Sequence, residues 1–336
     1  MELSEQMMFS NSSCPNFQYK KEFSVWFSIF YTVLCIAGVS LNGLALYSIH
    51  KRKEKITSSL LYLINLTMAD FFFAFLLPLR IVYFAMGFRW KLGEAVCRIS
   101  GYLFYLNIYS GINFMVCLSV DRYIAVMHPI TLQRFRNVSF AKGICIFVWI
   151  FTCAVNSITM FLPNLYVKNG TDELCMEYST LQNNPGLPGK VLISCLVSYC
   201  LPLLILFFCY WCVGVKVCQM FWKNPVRNKP GRFHRKSLRI IVVVLLGFCL
   251  CYTPYHVNLA QHMVKVLRGP VACDTHQTFK VYLQSTISVM NLSFFFDPFI
   301  YFSAFRNHRL FAFKCQTRRV IDNPSSSSKT SSSGTD

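Results

Sequence analysis

From Ser24 to Ile49 the chain reads SVWFSIFYTVLCIAGVSLNGLALYSI, without one charged side chain. A bilayer core takes about 20 predominantly apolar residues per helix, and only helices and closed barrels satisfy their own backbone hydrogen bonds in lipid. The run therefore predicts a membrane span. Six further windows meet the same rule: Thr57 to Met86, Ala95 to Met127, Phe140 to Leu162, Gly189 to Phe221, Ser237 to Val264 and Thr278 to Phe305. Composition agrees, since 54% of the 336 residues are hydrophobic and only 14% are charged, against about 25% charged in a soluble domain.

A net charge of +19 would suggest a nucleic-acid partner in a soluble protein. Here the charges are sorted by loop. Lys51, Arg52, Lys53 and Lys55 follow the first span, Arg134, Arg136 and Lys142 separate the third from the fourth, and Lys223, Arg227, Lys229, Arg232, Arg235 and Lys236 separate the fifth from the sixth. These loops share one side with Arg306, Arg309, Lys314, Arg318 and Arg319, and the positive-inside bias makes that side cytoplasmic. No nucleic acid is implied. Residues 1–23 are then extracellular and carry no apolar core of a cleaved signal, so the first span is expected to start insertion itself. Glycosylation sequons at Asn11 and Asn169 fall on the same outer side.

The expected fold is an all-α membrane protein: a seven-transmembrane helix bundle over 24–305, a short amphipathic eighth helix over 306–316, and a disordered Ser/Thr-rich cytoplasmic tail over 317–336. Most of the 16 cysteines lie in apolar helices, where a buried thiol is the plain reading. Cys14, Cys97, Cys175 and Cys273 lie outside the bilayer, and four cysteines allow three connectivities. The expected pairs are Cys97 with Cys175 and Cys14 with Cys273.

Ionisable residues inside spanning helices are costly and mark function by default. Asp70, Arg80, the adjacent Asp121 and Arg122, and Asp297 stand out. Hydrogen-bonded packing is the alternative for any one of them. Asn107 adds a neutral oxygen to Asp70 and Asp297, and hard oxygen donors of this kind suit a small hydrated cation. Pro202, Pro254 and Pro298 each delete a backbone hydrogen bond and favour a kink.

Taken in order, Asn42 in GVSLN, Asp70 in LTMAD, Asp121-Arg122-Tyr123, Trp149, Pro202, Pro254 in CYTP and Pro298 in DPFIY resemble the rhodopsin-like family of G-protein-coupled receptors. The resemblance runs from the first span to the segment near Phe305 to Cys315. It implies that Arg122 rests against Asp121 and on activation turns toward Tyr210, where it forms a docking floor for a G protein. It also implies sodium held by Asp70, Asn107 and Asp297 in the resting state, and an activation switch built from Tyr252, Pro254, Asp297, Pro298 and Tyr301. Three positions depart from the pattern. His234 stands where many relatives lock the arginine with an acid, Gly111 where many place a serine ligand for sodium, and Tyr252 where most carry tryptophan.

Phe104 occupies the position at which amine receptors of the family place an aspartate, so an ammonium ligand has no partner. Tyr105 and Tyr109 share a helical face, and with Tyr255 and Arg80 they suit an elongated apolar ligand with separated polar groups; ordinary packing is the lesser alternative for any one tyrosine. The stretches RIVYFAMGFRW, AKGICIFVWI and YTPYHVNLAQHMVKVLR resemble the chemotactic, oxysterol-binding branch of the family. That resemblance implies a dihydroxylated sterol touching Arg80, Tyr105, Tyr109 and Tyr255, coupling to an inhibitory-class G protein, and receptor kinases and arrestin acting on the tail, with Cys315 a palmitoylation site. Receptors for a lysophospholipid or a nucleotide are the nearest alternatives. Leu259 replaces the second cation that nucleotide receptors use, and a lone Arg80 suits one hydroxyl, carboxylate or monophosphate. A channel or transporter would show polar faces along several helices. An enzyme is not expected, since no HExxH, GxSxG or paired-aspartate motif occurs.

Overall fold

The computed structural model describes residues 20–51, 55–160, 165–169, 172–176, 186–223, 232–269 and 271–305. The first span is α1 (Lys21–His50). The second is broken into α2 (Ser58–Ala74) and α3 (Leu77–Ala85), the third is α4 (Gly93–Met127), and the fourth is α5 (Val138–Met160), reached through a 3-10 turn at Gln133–Arg136. The fifth joins α6 (Leu187–Cys195) to α7 (Leu201–Lys223), the sixth is α8 (Arg232–Arg268), and the seventh is α9 (Cys273–Met290) followed by α10 (Ser293–Phe305). Six of these spans have the length and hydropathy to cross a membrane unaided. The seventh divides its apolar stretch between two helices, and α9 opens on the polar run CDTHQTFK.

Two of the three breaks lie beside prolines. Pro78 has no N–H to return to the carbonyl of Ala74, and the Cys35 thiol of α1 donates to that carbonyl at 3.5 Å instead. Pro202 likewise frees a carbonyl one turn earlier, and the chain widens into a π turn over Leu196–Cys200 just before it. Inside α10, Pro298 frees the carbonyl of Phe294, which accepts from Asn42 Nδ2 of α1 at 3.3 Å. The carbonyls freed by Pro78 and Pro298 thus each accept from a side chain of α1, which keeps two backbone groups partnered in a medium without water.

At the centre stands α4, packed against α2, α5, α7 and α8. Phe104, Ile108, Ile112, Met115, Leu118, Ala125 and Val126 are buried along its length. The outer helices present large apolar side chains instead, among them Ile146, Ile150, Leu204 and Trp211. In water such faces would drive association; here they meet lipid.

One departure from the all-α expectation is a hairpin. Strand β1 (Tyr166–Asn169) pairs antiparallel with β2 (Asp172–Cys175), Tyr166 opposite Cys175 and Asn169 opposite Asp172. The sequon asparagine Asn169 is therefore the last residue of β1. Lys168 and Glu173 face each other across the strands at 3.1 Å, and that hydrogen bond holds the Glu173 carboxyl below its ordinary range. The hairpin is pinned to α4 by the Cys97–Cys175 disulfide, with Cα atoms 5.8 Å apart. Gly101 makes the close approach possible, because a Cβ there would sit 3.0 Å from Leu165.

Cys273 is disulfide-bonded. Its expected partner Cys14 lies outside the described residues, as do Asn11, Cys315, the eighth helix and the tail. The chain divides into a unit up to Ala304 and a second from Phe305 onward, of which only Phe305 is described.

Candidate functional site

At the end of the bundle opposite the disulfide, Arg122 is 6% exposed and Asp121 4%. The guanidinium donates to Asp121 Oδ2 from Nη2 at 2.6 Å and from Nε at 3.2 Å. Two serines at the start of α2 complete the arrangement. Ser58 donates to Asp121 Oδ1 at 2.5 Å, and Ser59 both donates to Asp121 Oδ2 and accepts from Arg122 Nη2. Arg136, from the turn after α4, lies 3.7 Å from Asp121 Oδ1. A buried charge pair is tolerated when its remaining lone pairs and protons find partners, and these neighbours supply them.

Beneath the pair, Val126, Val213, Val217 and Ile241 form a sealed apolar cluster with Tyr123, Met127 and Leu238 packed on it. It joins α4, α7 and α8. Tyr123 rests against Phe208 with ring centroids 5.6 Å apart. Tyr210 points away, 37% exposed, and is not brought to Arg122. The arrangement is a closed clasp. The side chains of His234 and Tyr301 lie outside the described residues.

In the middle of the membrane, Asp70 Oδ1 accepts from Asn107 Nδ2 at 3.2 Å. Asp70 Oδ2 and both oxygens of Asp297 are buried and have no other donor, while the two carboxyls lie within hydrogen-bonding reach of each other. Two facing carboxyls in a dry site need a proton or a cation between them. The donor set fits a hard cation. Gly111 contributes nothing from α4, yet a Cβ there would meet the Tyr252 hydroxyl at 3.4 Å, and that hydroxyl also bonds to Ser293. Pro254 lies in α8 two residues beyond Tyr252.

Toward the disulfide end, Arg80 is 7% exposed, with its guanidinium carbon 5.4 Å from the Phe104 ring and 5.7 Å from the Phe84 ring. Its Nε and Nη2 have no partner. Phe73, Leu79, Trp90, Phe104 and Met176 line the recess around it, whose free volume of about 10 Å³ is enough for about one water. A larger ligand enters only if these side chains move. Tyr105 and Tyr109 stack with centroids 6.3 Å apart, and the Tyr109 hydroxyl lies within reach of Ser194 and Ser198. Tyr255 is fully buried on α8. The four expected ligand residues therefore face the interior of one half of the bundle, with Arg80 and the tyrosine pair separated by Phe104. Gln284 of α9 joins the interior polar groups unforeseen, 1% exposed with both ends of its amide unpartnered; in sequence it is one polar residue in a mixed stretch, and nothing marks it out.

The description "7 transmembrane receptor (rhodopsin family)" matches residues 41–301. The chain belongs to that family. It is 38% identical over 311 residues to the rat protein named G-protein coupled receptor 183, covering 92% of this chain and 87% of the relative. The human protein of the same name is 36% identical over 320 residues, covering 95% and 88%. Mouse cysteinyl leukotriene receptor 2 is 29% identical over 318 residues, covering 93% and 96%. The protein is accordingly a receptor and not an enzyme, multi-pass in the plasma membrane, with a small-molecule ligand and a G protein as partners.

Proposed function

We propose that this receptor responds to an oxysterol of the dihydroxycholesterol type, couples to an inhibitory-class G protein and to arrestin, and directs chemotactic migration of immune cells. The observation that carries the ligand reading is the buried Arg80, whose two unpartnered nitrogens point into an apolar, aromatic recess. One cation among aromatic walls suits a ligand with one strong acceptor and a large apolar body. Leu259, 4% exposed one turn beyond Tyr255, adds no second cation for a nucleotide. The relatives named G-protein coupled receptor 183 and the resemblance of the RIVYFAMGFRW segment support the same choice.

In this reading the N-terminus and the hairpin are extracellular, Asn11 and Asn169 carry glycans, and the Arg122 end faces the cytoplasm. Asp70, Asn107 and Asp297 hold sodium in the resting state. Kinases act on Ser325 to Thr335, each phosphate adding about −1.5 to −2 charge beside a basic face, and arrestin follows.

The test is a competition series with a dihydroxysterol and a lysophospholipid on Arg80→Ala, Tyr109→Phe and Tyr255→Phe. A hydrogen bond from a charged donor contributes about 1.5–3 kcal/mol, so loss of Arg80 weakens the sterol by about one to two powers of ten, and each lost phenol hydroxyl costs less. An anionic lipid would instead lose nearly all binding with Arg80 and little with the tyrosines. Absence of any sterol response in the unmutated receptor rejects the proposal.

A further inference from the structure

Near the disulfide end of the bundle, α8 and α9 bring two histidines together. His262 is 3% exposed and His276 7%. Burying an imidazole is costly unless its nitrogens find partners, yet His262 Nε2 and His276 Nδ1 have none. The His262 ring lies flat on Phe279, centroids 3.6 Å apart and planes within 4°. That stacking occupies a face of the ring and leaves its in-plane lone pair unused. The two imidazole centroids are 5.5 Å apart. Two imidazoles bound to one tetrahedral zinc at about 2.0–2.1 Å per nitrogen place their centroids about 5 Å apart, so the spacing needs only a small adjustment.

We propose that His262 and His276 bind a zinc ion, or a divalent metal of similar borderline softness, that bridges α8 to α9. Neutral imidazole is the donor such metals favour over the oxygen-seeking magnesium or calcium. Among the described residues no group of three or more His, Cys, Asp or Glu side chains gathers for a metal. The pair therefore supplies two ligands, and water reaches the remaining positions only as neighbouring side chains shift to admit it, a site weaker than a closed structural centre with four protein ligands. The neighbouring charges are Lys265 and Lys280, both cationic. Binding thus rests on lone-pair donation, not on long-range attraction. His262 lies seven residues from Tyr255, on the same face of α8, so a bridge there fixes the face that carries a ligand residue. The inference does not depend on which ligand that is.

The experiment uses the full-length receptor, purified without ligand, and follows its thermal unfolding in zinc chloride, in magnesium chloride, and in zinc followed by a chelator. Micromolar zinc is expected to raise the melting temperature, the chelator to reverse the rise, and magnesium to have no effect. Replacing even an outer partner of a metal ligand costs about 10–100-fold in affinity, so His262→Asn or His276→Gln should move half-maximal zinc upward by at least about tenfold. No rise with zinc, or an undiminished rise in the double variant, leaves buried packing histidines only and overturns the proposal. If the variants fail to fold, zinc-edge X-ray absorption of the zinc-loaded natural receptor decides. Scattering from two imidazoles supports the site, and its absence overturns it.

Discussion

Removing the serine hydroxyls that hold Asp121 should release the clasp without touching either charge. Ser58 and Ser59 donate to opposite oxygens of a carboxylate that is 4% exposed, so solvent screening does little to weaken them. A hydrogen bond to a charged group is worth about 1.5–3 kcal/mol. If the bonds exist only in the closed arrangement, one Ser→Ala change shifts the resting-to-active ratio by about tenfold to a hundredfold. The double variant falls short of the product of the two, because both act on one carboxylate and neighbouring sites do not add. The start of α2 should survive, since its cap is the Thr57 hydroxyl accepting from the Leu60 N–H at 3.3 Å. Arg136, at 3.7 Å, is too distant to take over. The assay is ligand-free nucleotide exchange on an inhibitory-class G protein, with receptor reconstituted at equal density. Basal exchange should rise for Ser59→Ala and further for the pair. An unchanged basal rate in a double variant that folds and still binds ligand would refute the reasoning.

Cys97→Ala frees the hairpin from α4 by opening a loop of 78 residues, at a cost of about 2–4 kcal/mol, and should lower surface expression or ligand binding. Asn42→Ala leaves the Phe294 carbonyl unpartnered beside Pro298, a loss of about 1–3 kcal/mol that should appear as a lower melting temperature. Tyr252→Phe removes the hydroxyl facing Gly111 and should raise the sodium concentration needed for half-maximal thermal stabilisation; an identical sodium curve would count against a role for that hydroxyl. The depressed Glu173 carboxyl makes the Lys168 contact a contribution present above the ordinary carboxylate pKa and lost as pH falls through the lowered one. Protection of the hairpin amides, measured relative to the intrinsic exchange rate at each pH, should accordingly fall in acid, and Glu173→Gln should remove that pH dependence.

The spans and their charges were legible because lipid imposes a simple rule on length and polarity, and because an acid or base in an apolar run has few innocent readings. Asp70, Asp121, Arg122 and Asp297 announce themselves this way. The partners of those groups do not. Ser58 and Ser59 sit in a stretch that reads as an ordinary helix start, and only the approach of α2 to α4 turns two hydroxyls into the seat of Asp121. With His234 in place of the acid that many relatives use, the arginine needs another restraint or the receptor signals without ligand. Ser58 and Ser59, which hold Asp121 against the arginine, supply such a restraint from α2. Tyr210 was legible as a residue type but not as a position, because its 37% exposure is set by how α7 packs, which one tyrosine in an apolar run does not specify. The hairpin escaped detection because its four-residue strands are too short to leave a period of two.

The departures at Gly111 and Tyr252 look independent in the sequence, one on the third span and one on the sixth. Space joins them. A glycine on α4 leaves a side-chain volume open, and the phenol of Tyr252 borders it, its oxygen 3.4 Å from where the missing Cβ would be and within electrostatic range of both carboxyls. An indole at that position would bring an N–H donor, which repels a cation, whereas a phenol oxygen can also accept. The pair thus moves a hydroxyl from the third span to the sixth while keeping an oxygen at the carboxyl cluster. Because that oxygen rides on α8, the helix that carries Pro254, a displacement of α8 would also move a phenol oxygen within electrostatic range of the Asp70 and Asp297 carboxyls. One side chain thus links α8 to the polar centre.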